Sequence, residues 1–183
     1  MKKIILSFFL ITTLLFIFYY FGCKENNKII ETETCPVVIK EVLINGTSME
    51  PFIKSGDTVS AIYDYYDCND ILRDDVVLYD YAGNKSLLIK SVKAIPGDRW
   101  ELKEVNNGYE IVVNNESVLN FEKEPYLISS NSAKMIELYI NDYPIIPNDT
   151  YLLLGNKIGG TLDSTKFGLV GKNDIKAKVQ IVD

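Results

Sequence analysis

Hydrophobic positions along this chain fall into two regimes. Residues 4–22 form an uncharged, mostly apolar run behind the basic pair Lys2 and Lys3. At about 1.5 Å per residue the run makes roughly 28 Å of helix, enough to cross a bilayer. From Lys24 to Thr34 the chain turns polar and charged, which suits a linker. Beyond it the apolar residues come in short runs rich in Val, Ile, Leu and Tyr, a strand pattern. The runs are Val37–Ile44, Thr58–Tyr65, Val76–Tyr81, Ser86–Ile95, Trp100–Val105, Tyr109–Val113, Tyr151–Leu154 and Ile175–Val182.

Turn residues fix how some of these runs connect. Asn106-Asn107-Gly108 and Asn114-Asn115 are hairpin signals, so Trp100 to Leu119 reads as a meander of antiparallel strands. Only Ser132–Ile140 has a helical pattern, and the proline-bearing stretch 120–148 reads as a peripheral excursion from the sheet. The pattern therefore predicts a mainly β chain: a transmembrane anchor over residues 1–22, a linker over 23–36, and one folded domain of packed or coiled antiparallel sheet over 37–183.

The basic pair before the run and the acidic chain after it predict a cytoplasmic N-terminus, with everything beyond Cys23 outside. Tyr19, Tyr20 and Phe21 would lie at the outer interface. Two other readings stand beside the uncleaved anchor. A cleaved secretory signal has an apolar region of about 7–15 residues ending in small residues, which Tyr20-Phe21-Gly22 fits poorly. Lipid attachment at Cys23, after Gly22, has bulky Tyr20 and Phe21 against it.

Composition narrows the chemistry. A net charge of -6 without clustered Lys or Arg argues against nucleic acid as a partner. The 183 residues include no histidine, which removes Ser-His-Asp and Cys-His catalysis and His-ligated metal sites. Acid-base work falls to Lys, Asp, Glu, Tyr or Cys. Three cysteines are too few for a disulfide scaffold and too dispersed for a zinc site. Cys35 and Cys68 leave two readings open: a disulfide in an oxidising compartment, or two unpaired thiols.

Two residues carry candidate chemistry. Ser48 lies in the turn-like stretch Asn45-Gly46-Thr47-Ser48-Met49-Glu50-Pro51 after an apolar strand, where its hydroxyl and nearby backbone N–H groups would be free. The plain alternative is a loop serine beside a turn glycine. Lys90 sits in the apolar strand Leu87-Leu88-Ile89-Lys90. Burial there would favour the neutral amine, which can take a proton from a serine; the plain alternative is a strand lysine that reaches solvent. Lys93, three residues on, is predicted to point to the opposite face.

Three segments, taken in order, resemble the type I signal peptidase family: Ile44 to Pro51, Leu87 to Asp98 with its Ile-Pro-Gly-Asp, and Gly155 to Gly168. The likeness runs from Ile44 to the end of the chain. It implies a coiled antiparallel β-sheet catalytic domain behind one N-terminal transmembrane helix, Ser48 as nucleophile, and Lys90 as general base. It implies further that Thr161 orients the lysine, that Asp163 is a carboxylate close to the pair, and that Gly46 and Ser48 offer oxyanion N–H groups. Ile44, Met49, Ile53, Leu88 and Ile89 would line apolar substrate pockets, core packing being their competing role. Gly168 fits the family's glycine.

The implied substrates are preproteins with small residues before the cut, bound as an added strand, and no metal or cofactor is implied. The third segment departs from the family's usual Gly-Asp-Asn-Arg. Asn156, Lys157 and Ile158 replace its last three residues, and Thr165 stands where an Arg often pairs with the carboxylate. Asp163 is therefore expected either to pair with Lys157 or Lys166 or to serve only as a turn former. Alternatives to a general signal peptidase are a conjugation or secretion-system peptidase with few substrates, and a non-catalytic, membrane-tethered protein-binding β domain. The self-cleaving repressors share a Ser-Lys pair but carry a DNA-binding region in front, where this chain has its apolar run.

Overall fold

The computed structural model describes residues 35–82, 86–159 and 161–181. The expected anchor at 4–22 and most of the linker lie outside them. Among the described residues no helix is long and apolar enough to cross a membrane.

Seven strands form the main sheet. They are β1 (Val38–Leu43), β2 (Thr58–Tyr63), β3 (Val76–Tyr79), β4 (Leu88–Ala94), β9 (Thr150–Leu154), β10 (Val170–Gly171) and β11 (Ile175–Ile181). Their order is β1-β2-β11-β3-β4-β9-β10, every neighbouring pair antiparallel. Side chains alternate across it. Val76, Leu78 and Ile89 join Ala61 and Val179 on one face, while Val77, Tyr79 and Val92 join Leu153 and Ile175 on the other. β2 ends at Tyr63 because Asp64 takes a left-handed conformation, φ 62°.

The predicted meander is the second sheet: β5 (Trp100–Val105), β6 (Gly108–Val113) and β7 (Glu116–Ser117), with β8 (Leu127–Ile128) also paired to β6. Asn114 and Asn115 both have positive φ, 52° and 68°, as a two-residue hairpin turn requires.

The stretch 120–148 is not peripheral. It supplies β8 and the helix α1 (Ser130–Asp142), whose Ser129 N-cap accepts from the Ser132 N–H. Ala133, Ile136, Tyr139 and Ile140, spaced three or four residues apart, give α1 an inward face. That face, with Tyr126 and Ile146, packs on Trp100, Ile111, Leu152 and Leu154 in one cluster. The prolines therefore mark turns inside a packed layer rather than a loose loop. A short helix, α2 (Ser164–Phe167), follows β9, capped by Asp163.

Cys35 and Cys68 form a disulfide, which decides between the two readings. It ties the entry to β1 to the connection between β2 and β3.

Candidate active site

The loop after β1 is closed at its base and pinned from within. Ile44 N–H donates to Asp57 O at 2.8 Å and Gly56 N–H to Ile44 O at 2.8 Å. Met49 and Ile53 drop into the core with Ile44 and Ile89, and the Ile53 N–H bonds back to Met49 O. With Met49 buried, the Ser48 side chain before it reaches Lys90 of β4. The Glu50–Pro51 peptide in this loop is cis.

Lys90 occupies the middle of β4, opposite Val77 of β3, and Ser91 beside it pairs with Leu154 of β9. It is 2% exposed. Its Nζ lies 2.9 Å from Ser48 Oγ and 2.7 Å from its neighbour's carbonyl, Ile89 O. Burial pushes the amine down from 10.5 to about 8, against the opposing pull of the Asp163 carboxylate. A lysine with that environment is part neutral near neutral pH, and its lone pair is within reach of a serine proton.

Gly155, at the end of β9, lets this pair close up. A Cβ there would stand 2.7 Å from Ser48 O and 2.8 Å from Thr161 Oγ1. The loop is held further by Lys157 N–H, which donates to Ser48 O at 3.0 Å.

Asp163 is wholly buried and pairs with neither Lys157 nor Lys166, contrary to expectation. Its carboxylate accepts from the Tyr126 hydroxyl at 2.6 Å, Gly155 N–H at 3.1 Å, the Thr165 N–H and hydroxyl at 3.0 and 2.7 Å, and the Thr161 hydroxyl. Lys166 donates instead to Ser132 Oγ, and Lys157 is exposed. Hydroxyls and N–H groups satisfy the carboxylate. Nor is it merely a turn former, since the Tyr126 hydroxyl reaches it from 37 residues away in sequence.

The Thr161 hydroxyl lies on Asp163, while Lys90 bonds to Ser48 and Ile89 O. Gly46, φ 120°, donates its N–H to Ser55 Oγ at 3.3 Å. Four of the five apolar pocket candidates, Ile44, Met49, Ile53 and Ile89, share one cluster. Leu88 packs with the cluster on the opposite face of the sheet, because neighbours on a strand point opposite ways. Lys93 leaves the pair altogether: its Nζ meets Asp74 at 2.6 Å and lies 4.6 Å from the Phe121 ring centroid. The cavity of about 440 Å³ beside it includes neither Ser48 nor Lys90.

A match to signal peptidase, peptidase S26 runs over residues 29–182, nearly the whole chain. The chain belongs to that family. Curated relatives include signal peptidase IB of Staphylococcus aureus, 28% identical over 156 residues that cover 78% of this chain and 76% of the relative. Signal peptidase I of Bacillus caldolyticus is 27% identical over 150 residues, covering 78% of each. Among solved structures, a signal peptidase I from Enterococcus faecalis V583 aligns with a TM-score of 0.46 and 16% identity, over 61% of this chain and 98% of that one.

The residues that depart from the usual motif of this signal peptidase family have partners of their own. Asn156, 1% exposed, donates to Glu50 O at 3.2 Å and Glu122 Oε2 at 2.7 Å, and accepts from Phe121 N–H at 2.8 Å. It thereby ties the nucleophile loop to the 120–124 turn, where Phe121 stacks on Phe52 with centroids 3.9 Å apart. Sequence reasoning missed Tyr126, Asn156 as a tie, and Gly155 as a close approach. Gly155 stood inside the third segment, whereas nothing local to Tyr126 announces its carboxylate partner.

Proposed function

We propose that this chain is a membrane-bound serine endopeptidase that removes signal peptides from exported preproteins, with Ser48 as nucleophile and Lys90 as general base. The observation that carries this reading is the 2.9 Å approach of a buried lysine amine to the serine hydroxyl. Neutral Lys90 takes the Ser48 proton as Oγ attacks the scissile carbonyl, and the Ser48 N–H is the nearest candidate donor to the oxyanion. The departing amine receives that proton from Lys90. Lys90 then draws a proton from water, whose attack on the acyl-enzyme frees Ser48.

Substrates in this reading are preproteins with small residues before the cut, laid as a strand beside Leu87 to Ile89 with side chains against Ile44, Met49, Ile53 and Ile89. Leu88, facing the other way, would touch a different substrate position. Residues 4–22 would anchor the enzyme with its N-terminus in the cytoplasm and its catalytic domain outside. The Cys35–Cys68 disulfide supports that side of the membrane, because such bonds persist in oxidising compartments. Anchoring confines enzyme and tethered substrate to one layer and raises their effective concentration.

The test is cleavage of an Ala-x-Ala preprotein by detergent-solubilised chain, with Ser48→Ala and Lys90→Ala beside it and folding checked for all three. Cleavage after the second alanine by wild type alone supports the reading. A second reading, a dedicated peptidase with few substrates, draws on the altered Asn156, Ile158 and Thr165. Folded wild type inert toward several preproteins would favour it over the general enzyme.

A further inference from the structure

Among the described residues every group that hydrogen-bonds the Asp163 carboxylate is neutral, and four of the five donors come from Gly155, Thr161 and Thr165, close by in sequence. The fifth, the Tyr126 hydroxyl, arrives from the excursion between β7 and β8, 37 residues away in sequence. None of the ion pairs among the described residues includes Asp163. The groups that meet Lys90 are the Ser48 hydroxyl from the loop after β1, Ile89 O on its own strand, and the field of Asp163 from the cap of α2.

We propose that Tyr126 is a positioning residue of the Ser48–Lys90 pair: its hydroxyl holds, and partly offsets the charge of, the buried Asp163 carboxylate, whose donor Gly155 packs against the Ser48 carbonyl. Its catalytic meaning rests on the peptidase reading above. The ring is 2% exposed and belongs to the core around Trp100, so the hydroxyl is aimed by packing rather than by its own loop. Burial and the neighbouring Asp163 push the phenol far above its ordinary range, which keeps it protonated and a donor. A donor dipole pointing at a carboxylate weakens the negative potential beyond it. Without that hydroxyl, Asp163 holds the Lys90 proton more strongly.

Tyr126→Phe removes the hydroxyl and keeps the ring. The full chain in detergent, carrying 13C-labelled lysine, is titrated by NMR, the Lys90 Cε signal being the one missing from Lys90→Met. The Lys90 midpoint in Tyr126→Phe is expected about half a pH unit above wild type. The acidic limb of the cleavage profile is expected to move with it, lowering turnover about threefold at pH 7 and leaving it near wild type at pH 10. A second variant, 3-fluorotyrosine placed at position 126 alone, strengthens the donor within the same packing, and the midpoint is expected to move down. An unmoved midpoint in both variants, or a uniform loss of cleavage at every pH, would overturn the proposal and leave Tyr126 a packing residue. Because the midpoint is read without turnover, wild type that titrates as expected but cuts nothing counts against the peptidase reading alone.

Discussion

Gly155 and Ser48 approach so closely that the Ser48 carbonyl oxygen stands 2.7 Å from where a Cβ on Gly155 would be. The same Cβ would meet the Thr161 hydroxyl, which is held on Asp163, so relief of the clash moves either the Ser48 loop or the Asp163 cage. Gly155→Ala is expected to displace the nucleophile by a fraction of an ångström and to lower kcat/KM about 100-fold. Thermal unfolding recorded beside the cleavage rate separates this from general damage: a variant equally stable and equally active would refute the packing argument.

Lys90 sets a pH window. Below about pH 8 the amine is mostly protonated, so kcat/KM is expected to rise tenfold per unit of pH until it levels near that value. The linked stability has a definite sign. The folded amine sits below its ordinary 10.5, so folding is penalised in full below pH 8, progressively less up to 10.5, and not at all above. Lys90→Met is expected to be more stable than wild type by about 3 kcal/mol at pH 7, less the bond lost at Ile89 O, with the gap closing by pH 10.5. Urea titrations of both proteins at the two pH values measure it.

Restoring the family's usual aspartate at position 156 is expected to harm this chain. Asn156 donates to Glu122 and to Glu50 O, and a carboxylate there would face two acceptors. Asn156→Asp is expected to lose about 2 kcal/mol at neutral pH. Glu122→Gln on the same chain is expected to return part of it, since the new amide can donate to the aspartate. A double-mutant cycle on unfolding free energies reads the coupling.

Breaking the disulfide acts on the unfolded chain. A bridge between residues 33 apart in sequence restricts that chain by about 4 kcal/mol. Cys35→Ser with Cys68→Ser is expected to lose up to that amount in urea while cleavage at 25 °C stays near wild type, because neither sulfur touches Ser48 or Lys90. A large fall in kcat would show that β1 carries strain into the nucleophile loop.

Much of this architecture was legible because its elements are local. The eight long strands follow apolar runs, and the paired asparagines at 106–107 and 114–115 mark both hairpins. Ser48 and Lys90 were legible as a pair through the resemblance, since their meeting depends on three strands that the sequence does not order. What stayed hidden depends on partners far along the chain. Tyr126 reads as one aromatic in a proline-rich stretch until the Trp100 core brings it to Asp163. The two-residue strands β8 and β10 carry too little pattern to register. Lys157 and Lys166 were reasonable partners for Asp163 by charge alone, but a buried carboxylate is served by nearby hydroxyls without bringing a lysine out of water.

The excursion from Arg99 to Pro147 leaves the main sheet after β4 and returns to it as β9, and those two strands are hydrogen-bonded neighbours. Such an insert opens and closes like a drawer: its ends stay side by side whatever its length, so it can lengthen or shrink across generations without disturbing the register of the strand that holds Lys90. Tyr126 limits that freedom. A lineage that shortened the excursion past it would have to supply Asp163 with another donor, and an arginine in place of Thr165 is one substitution able to do so.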